Sequence, residues 1–87
     1  MMAIDQIKND KLAVSVARAV AVANEAAIAH GVDIGTALVT IAEESAPPDR
    51  SWRIHYGPRD YVLRRGGDFT VVVDDRSGDV KRIVRGQ

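Results

Sequence analysis

The sequence of 87 residues contains no cysteine and only four aromatic residues. Without cysteine, the chain can form no disulfide, no thiolate metal site and no thiol nucleophile. Hydrophobic residues still make up 46% of the sequence, which argues against wholesale disorder, and Ala and Val supply most of them. We therefore predict a single domain over residues 1–87 with a thin core, dominated by the rings of Trp52, Tyr56, Tyr61 and Phe69.

The sequence also lacks a long apolar run. No stretch reaches the roughly 18 uninterrupted apolar residues of a membrane span. Asp5 and Asp10 stand where a secretory signal would carry its basic residues. These features predict a cytoplasmic protein that does not contact a membrane.

Neither sign of charge is in excess, and the formal net charge is zero. The distribution is uneven, because residues 1–49 carry a net charge of −4 and residues 50–87 a net charge of +4. This asymmetry predicts that the two halves attract each other within one fold. Single-stranded nucleic-acid binding through the basic half is an alternative, but a zero net charge argues against it.

The clearest pattern is an antiparallel hairpin between Gly66 and Arg85. Apolar residues alternate from Phe69 to Val73, and a second β-branched run spans Val80 to Val84. The intervening polar segment contains Gly78, which tolerates a positive φ. A hairpin of two strands is marginal alone, so the rest of the chain must supply a packing surface.

The spacing of apolar residues over 6–30 predicts one helix, and its apolar stripe consists mainly of small residues. A single stripe is formed by Leu12, Val16, Ala19, Val20, Ala23 and Ala27. A water-facing row is formed by Lys11, Arg18 and Glu25. Asn9 or Asp10 is a candidate N-cap, and His30 followed by Gly31 marks the end.

Two further strands are predicted, from Thr36 to Glu43 and from Ser51 to Gly57. In the second strand, Trp52, Ile54 and Tyr56 share one face. A short apolar island at 61–63 could extend the sheet or cap the core. The predicted inward set is Val16, Val20, Ala23, Trp52, Ile54, Tyr56, Phe69, Val71 and Val73.

These elements predict an α+β domain with one long N-terminal helix packed on a three- to four-stranded antiparallel meander sheet, in the order α-β-β-β with a further β optional. Residues 1–9 are expected to be a frayed N-terminus.

Signatures of catalysis are weak. Ser51 and His55 share a strand face, but four residues of strand separate them by about 13 Å, beyond hydrogen-bond reach. The segment from Asp74 to Asp79 lacks the ligand order of a calcium loop and is typical of a hairpin turn. The turn at 64–67 could present guanidinium and backbone N–H groups to an anion, although a solvated turn is the simpler interpretation. We predict no catalytic residues, no metal site and no cofactor.

A protein-binding role is the leading hypothesis, because Arg and Tyr are enriched at interface hot spots. The predicted contact residues are Arg53, His55, Arg59, Tyr61, Arg64 and Arg65. The alternative from another class is an enzyme or small-molecule carrier with a pocket between helix and sheet. A homodimer through an unpaired edge strand is also consistent with the sequence, because such edges are seldom left open.

The segments SWRIHYG and GGDFTVVVDDRSGDVKRI resemble those of PepSY-type domains and of similar immunity proteins from bacterial polymorphic-toxin systems. The resemblance covers roughly residues 12–85. It is carried by Trp52, Tyr56, Gly66, Gly67, Val73, Asp74, Ser77, Gly78 and Val80. It implies a non-catalytic protein that binds a partner, by analogy a toxin domain, and the lack of an export signal favours the cytoplasmic, immunity-like version.

Overall fold

The computed structural model describes residues 10–45, 48–58 and 68–86. They form one helix and four strands in the order α1 (Lys11–Ala29), β1 (Ala37–Ser45), β2 (Ser51–Pro58), β3 (Phe69–Asp74) and β4 (Val80–Arg85). Each strand pairs antiparallel with the next, giving the sheet order β1-β2-β3-β4. The predicted α+β fold is confirmed, with the fourth strand present. The predictions for residues 1–9 and 61–63 lie outside the described residues.

Both ends of α1 follow the predicted chemistry. The Asp10 carboxylate accepts a hydrogen bond from the Ala13 N–H at 3.0 Å, which confirms Asp10 as the N-cap. The helix therefore begins at Lys11, and the predicted start at residues 6–9 lies outside the described part of the chain. At the other end Gly31 has a φ of 85°, the left-handed conformation that terminates many helices.

Three alanines of α1 pack against the sheet. Ala19, Ala23 and Ala27 recur every fourth residue and are buried, with α1 lying over β2 and β3. Side chains this small allow the helix to approach the strands closely. The predicted stripe was wrong at its N-terminal end, because Leu12 is 50% exposed. Leu12 lies in the first turn of the helix, where burial has not yet begun.

By length and composition α1 could also cross a membrane, since the helix Lys11–Ala29 has a mean hydropathy of 1.5 over its most apolar window. Core helices rich in alanine share this property. Here the helix lies against β2 and β3, with 17% of that window buried.

The core lies between α1 and the two central strands. Tyr56 pairs with Phe69, Ile54 with Val71 and Trp52 with Val73, and all six of these side chains are buried. This confirms the predicted inward faces of β2 and β3. Val16 and Val20, also predicted to face inward, are partly buried against the same cluster.

The turn between β3 and β4 is held by Asp74. Its carboxylate accepts hydrogen bonds from the Arg76 N–H at 3.1 Å, the Ser77 N–H at 2.8 Å and the Ser77 hydroxyl at 2.9 Å. Gly78 has a φ of 75°, as the predicted turn requires. These hydrogen bonds stabilise the ionised carboxylate and therefore lower the pKa of Asp74, and those from Ser77 have the largest effect. The segment is thus a hairpin turn.

The same turn is fastened to the rest of the domain through Asp75. The Trp52 indole N–H donates to the Asp75 carboxylate at 2.9 Å, and the Arg18 guanidinium donates to the Asp75 backbone oxygen. Arg18 was predicted only to face water. It is exposed, but it also joins α1 to the hairpin turn, a contact that helix periodicity cannot reveal.

Candidate functional site

The face of the sheet opposite α1, called the outer face below, carries the candidate site. Because residues directly opposite in an antiparallel pair share a face, the strand register assigns its members. Two cross-strand rows result, Thr40–His55–Thr70–Val84 and Ala42–Arg53–Val72–Arg82. Among the described residues, no helix or strand covers this face.

An open depression of about 310 Å³ lies at the centre of the outer face. Its walls are the side chains of Thr40, Ala42, Arg53, His55 and Thr70. The guanidinium, the imidazole and two hydroxyls all supply hydrogen-bond donors, and Arg53 adds a permanent positive charge. The arrangement suits a carboxylate or another anionic group that protrudes from a larger surface. It lies on the outer face and not between helix and sheet, where the small-molecule alternative would place a pocket.

Arg53 is the cation that this face offers to a partner. The other arginine of its row, Arg82, is paired with Glu44 at 2.7 Å. By contrast, Arg53 is exposed and makes no ion pair with any of the described residues. A guanidinium that has no ion-pair partner among the described residues can donate two parallel hydrogen bonds to a carboxylate.

The Arg82–Glu44 pair also explains an unexpected buried residue. Val72 points to the outer face, where polar alternation predicts exposure, yet its side chain is fully buried. Glu44 and Arg82 belong to the two edge strands, about 14 Å apart at ordinary strand spacing, so both side chains must lean across the sheet to meet. In register, Val72 lies directly between Arg53 and Arg82. Long side chains of this type can lie along an apolar neighbour and remove it from water.

His55 lies beside a carboxylate. Its Nε2 lies 3.5 Å from an oxygen of Asp68, just before β3, and its side chain is 29% exposed. The side chain is half-buried in the wall of the depression. Such a partly exposed pair contributes little stability, about 0–1 kcal/mol.

Tyr56 lies on the opposite, inner face and has a separate partner. Its hydroxyl donates to the Asn24 side-chain oxygen of α1 at 2.6 Å. Burial raises the pKa of Tyr56 to about 12, so the phenol is neutral at ordinary pH. This residue holds α1 to the sheet and is not part of the outer face.

The nucleophile interpretation of Ser51 does not gain support. Its side chain is buried, and its hydroxyl donates to the Ser45 hydroxyl at 3.3 Å. Over the described ranges, no three His, Asp or Glu side chains cluster as a metal site would require. The adjacent acids Glu43 and Glu44 have different partners, Arg50 and Arg82 respectively, each at 2.7 Å.

The structure brings together two of the six predicted contact residues, Arg53 and His55, on the outer face of β2. The other four lie outside the described residues: Arg59, Tyr61, Arg64 and Arg65. Sequence reasoning missed Thr40 and Thr70 as walls of the depression. Both are outward positions of predicted strands, but only the register shows that they flank His55.

No protein-family model, curated protein or solved structure matches this chain. The resemblance to PepSY domains and immunity proteins therefore remains a prediction, based on the sequence pattern alone.

Proposed function

We propose that this chain is a non-catalytic binding domain that recognises an acidic surface of a partner protein through its outer face. The observation that carries the proposal is the open depression with Arg53 in its wall. By the immunity-like resemblance, the partner would be a toxin domain that the chain neutralises in the cytoplasm.

The depression is built on a central strand of the sheet. β2 is hydrogen-bonded on both sides, to β1 and to β3, and its inner face is locked by the buried Trp52, Ile54 and Tyr56. The backbone of such a strand is held in position before a partner arrives. Binding then costs less conformational entropy than it would from a mobile loop.

The charge pattern favours an acidic partner. Arg53 presents its donors at the centre, whereas the two nearby carboxylates already have partners, Glu44 with Arg82 and Asp68 with His55. The predicted contact residues Arg59, Tyr61, Arg64 and Arg65 follow β2 in the sequence, and three of the four are cationic. A basic surface of this kind steers an acidic partner and selects against basic ones.

The test is affinity capture of the partner from the source cell, followed by calorimetric titration of the purified pair. Removing a central arginine of an interface costs about 2 kcal/mol or more, so Arg53→Ala should weaken binding about 30-fold, and Arg53→Glu should weaken it further. Arg76→Ala is the matched control, because Arg76 is an exposed arginine in the β3–β4 turn and lies away from the depression.

Equal affinities of Arg53→Glu and Arg76→Ala for the partner would refute the outer face as the binding site. Recovery of chaperones alone would count against a specific partner. Retention of single-stranded DNA or RNA that falls steeply with salt would instead favour the nucleic-acid alternative.

A further inference from the structure

The free edge of β1 has the properties of an association surface. Among the described residues, β1 pairs on one side only, with β2. Its first seven residues, Ala37–Glu43, pair with β2 in regular register, and the irregularity comes only between Glu43 and Ser45. A regular edge of this length presents a row of backbone N–H and C=O groups that another strand can bind.

The other edge strand, β4, carries charges along its length, whereas the charges and the irregularity of β1 are confined to its end, from Glu43 onward. Lys81, Arg82 and Arg85 make half of β4 cationic, and a bulge interrupts its pairing between Val72 and Val73. Charges and bulges are the usual means of blocking edge-to-edge association. Residues 37–42 of β1 carry no charge. The apolar side chains of this segment that lie open to solvent are Leu38, Val39 and Ile41, at 45%, 38% and 45% exposure.

We propose that β1 pairs antiparallel with β1 of a second copy of this chain, about a two-fold axis that passes Thr40. Thr40 is the central residue of the regular segment Ala37–Glu43, so this register uses the whole of it. The proposal does not depend on the proposed function.

The sequence of β1 is self-complementary in this register. Val39 of one copy lies opposite Ile41 of the other, and Leu38 lies opposite Ala42. Apolar cross-strand pairs of this kind stabilise a sheet by a few tenths of a kcal/mol or more each. Glu43 lies opposite Ala37 of the second copy, so no two carboxylates face each other.

The dimer would have one continuous sheet of eight strands among the described elements of both copies. Residues that share a face within a copy also share it across the two-fold axis, so the two outer faces lie on the same side. Each depression has Thr40 in its wall, which places both depressions next to the axis. A partner with two acidic sites could then bind both copies at once.

The first experiment measures molar mass by light scattering over a range of concentrations. We expect the wild-type mass to rise with concentration toward twice the 9.4 kDa of one copy. Ile41→Lys should lose this association, whereas Ile83→Lys should keep it. The two isoleucines are closely matched, because they lie in one cross-strand row, Ile41–Ile54–Val71–Ile83, on opposite edges of the sheet.

The second experiment tests the register with a cysteine probe, for which the absence of native cysteine is an advantage. A two-fold axis at Thr40 brings its two copies to a Cα separation of about 4.5–5.5 Å, within the range that a disulfide spans. Under mild oxidation, Thr40→Cys should therefore form a covalent dimer several times faster than Val84→Cys. Val84 is the matched position, because it lies in the same row on the outer face of β4.

A wild-type mass that stays at 9.4 kDa at every concentration would overturn the proposal, and so would equal cross-linking of the two cysteine variants. If Ile41→Lys fails to fold by circular dichroism, the cysteine pair alone decides. Arg53→Ala should leave the mass unchanged, which separates failure of the dimer from failure of the partner-binding site.

Discussion

The closeness of α1 to the sheet can be tested at Ala23. This side chain is fully buried where the helix lies over β2 and β3, so Ala23→Leu inserts three carbon atoms into filled space. Overpacking of this kind costs about 1–3 kcal/mol. For a domain of this size that corresponds to a melting temperature lower by about 4–24 °C.

Ala21→Leu is the control. Ala21 is exposed on the same helix, so the substitution changes composition and helix propensity equally without entering the core. Its effect on the free energy of unfolding should stay within about 0.5 kcal/mol.

Urea unfolding followed by tryptophan fluorescence is the assay. Trp52 is the single tryptophan and lies in the core, so its emission reports loss of packing directly. Equal stabilities of Ala23→Leu and Ala21→Leu would refute the close packing of α1 on the sheet. A helix that contacts the strands through alanines has no room for a leucine at a contact position.

Two further predictions concern pH. Because the pKa of Tyr56 is raised to about 12, the neutral phenol is favoured in the folded state, and its contribution is complete below pH 10 and lost as the pH rises toward 12. Tyr56→Phe loses the hydrogen bond to Asn24 and should be about 1 kcal/mol less stable than the wild type at neutral pH. By pH 12 the wild type should lose roughly 2 kcal/mol relative to this variant, so that the order of the two stabilities reverses. Urea midpoints that keep the same order at both pH values would contradict the raised pKa of Tyr56. The pKa of Asp74 is lowered, mainly by the hydrogen bonds from Ser77, so its contribution is present above its ordinary pKa and is lost as the pH falls through the lower folded value. The stability difference between wild type and Asp74→Asn should therefore shrink on acidification from about pH 7 to about pH 3, and a difference that grows would contradict the role of the carboxylate.

Local chemistry explains which elements were predictable. Asp10 and Gly31 mark the ends of α1 because capping depends on adjacent backbone groups. The alternation in β2 and β3 revealed the inner face because the side-chain period of a strand is fixed by its geometry. These signals act over a few residues, so the sequence displays them directly.

The candidate site depended on long-range geometry. Arg53 and His55 could be recognised as outward residues of β2, but their neighbours Thr40 and Thr70 come from other strands. The burial of Val72 at an outward position likewise accompanies an ion pair between Glu44 and Arg82, which are 38 residues apart in sequence. No local pattern encodes such a pairing.

By itself the sequence determined the α+β class, the helix caps, the hairpin turn and the inward faces of the central strands, because each follows from the stereochemistry of neighbouring residues. Only the tertiary structure decided which edge strand is left unprotected, where the outer face forms its depression and which arginine there is unpaired among the described residues. The physical reason is register: the pairing of strands sets which distant side chains meet, and it is chosen by the packing of the whole sheet against the helix.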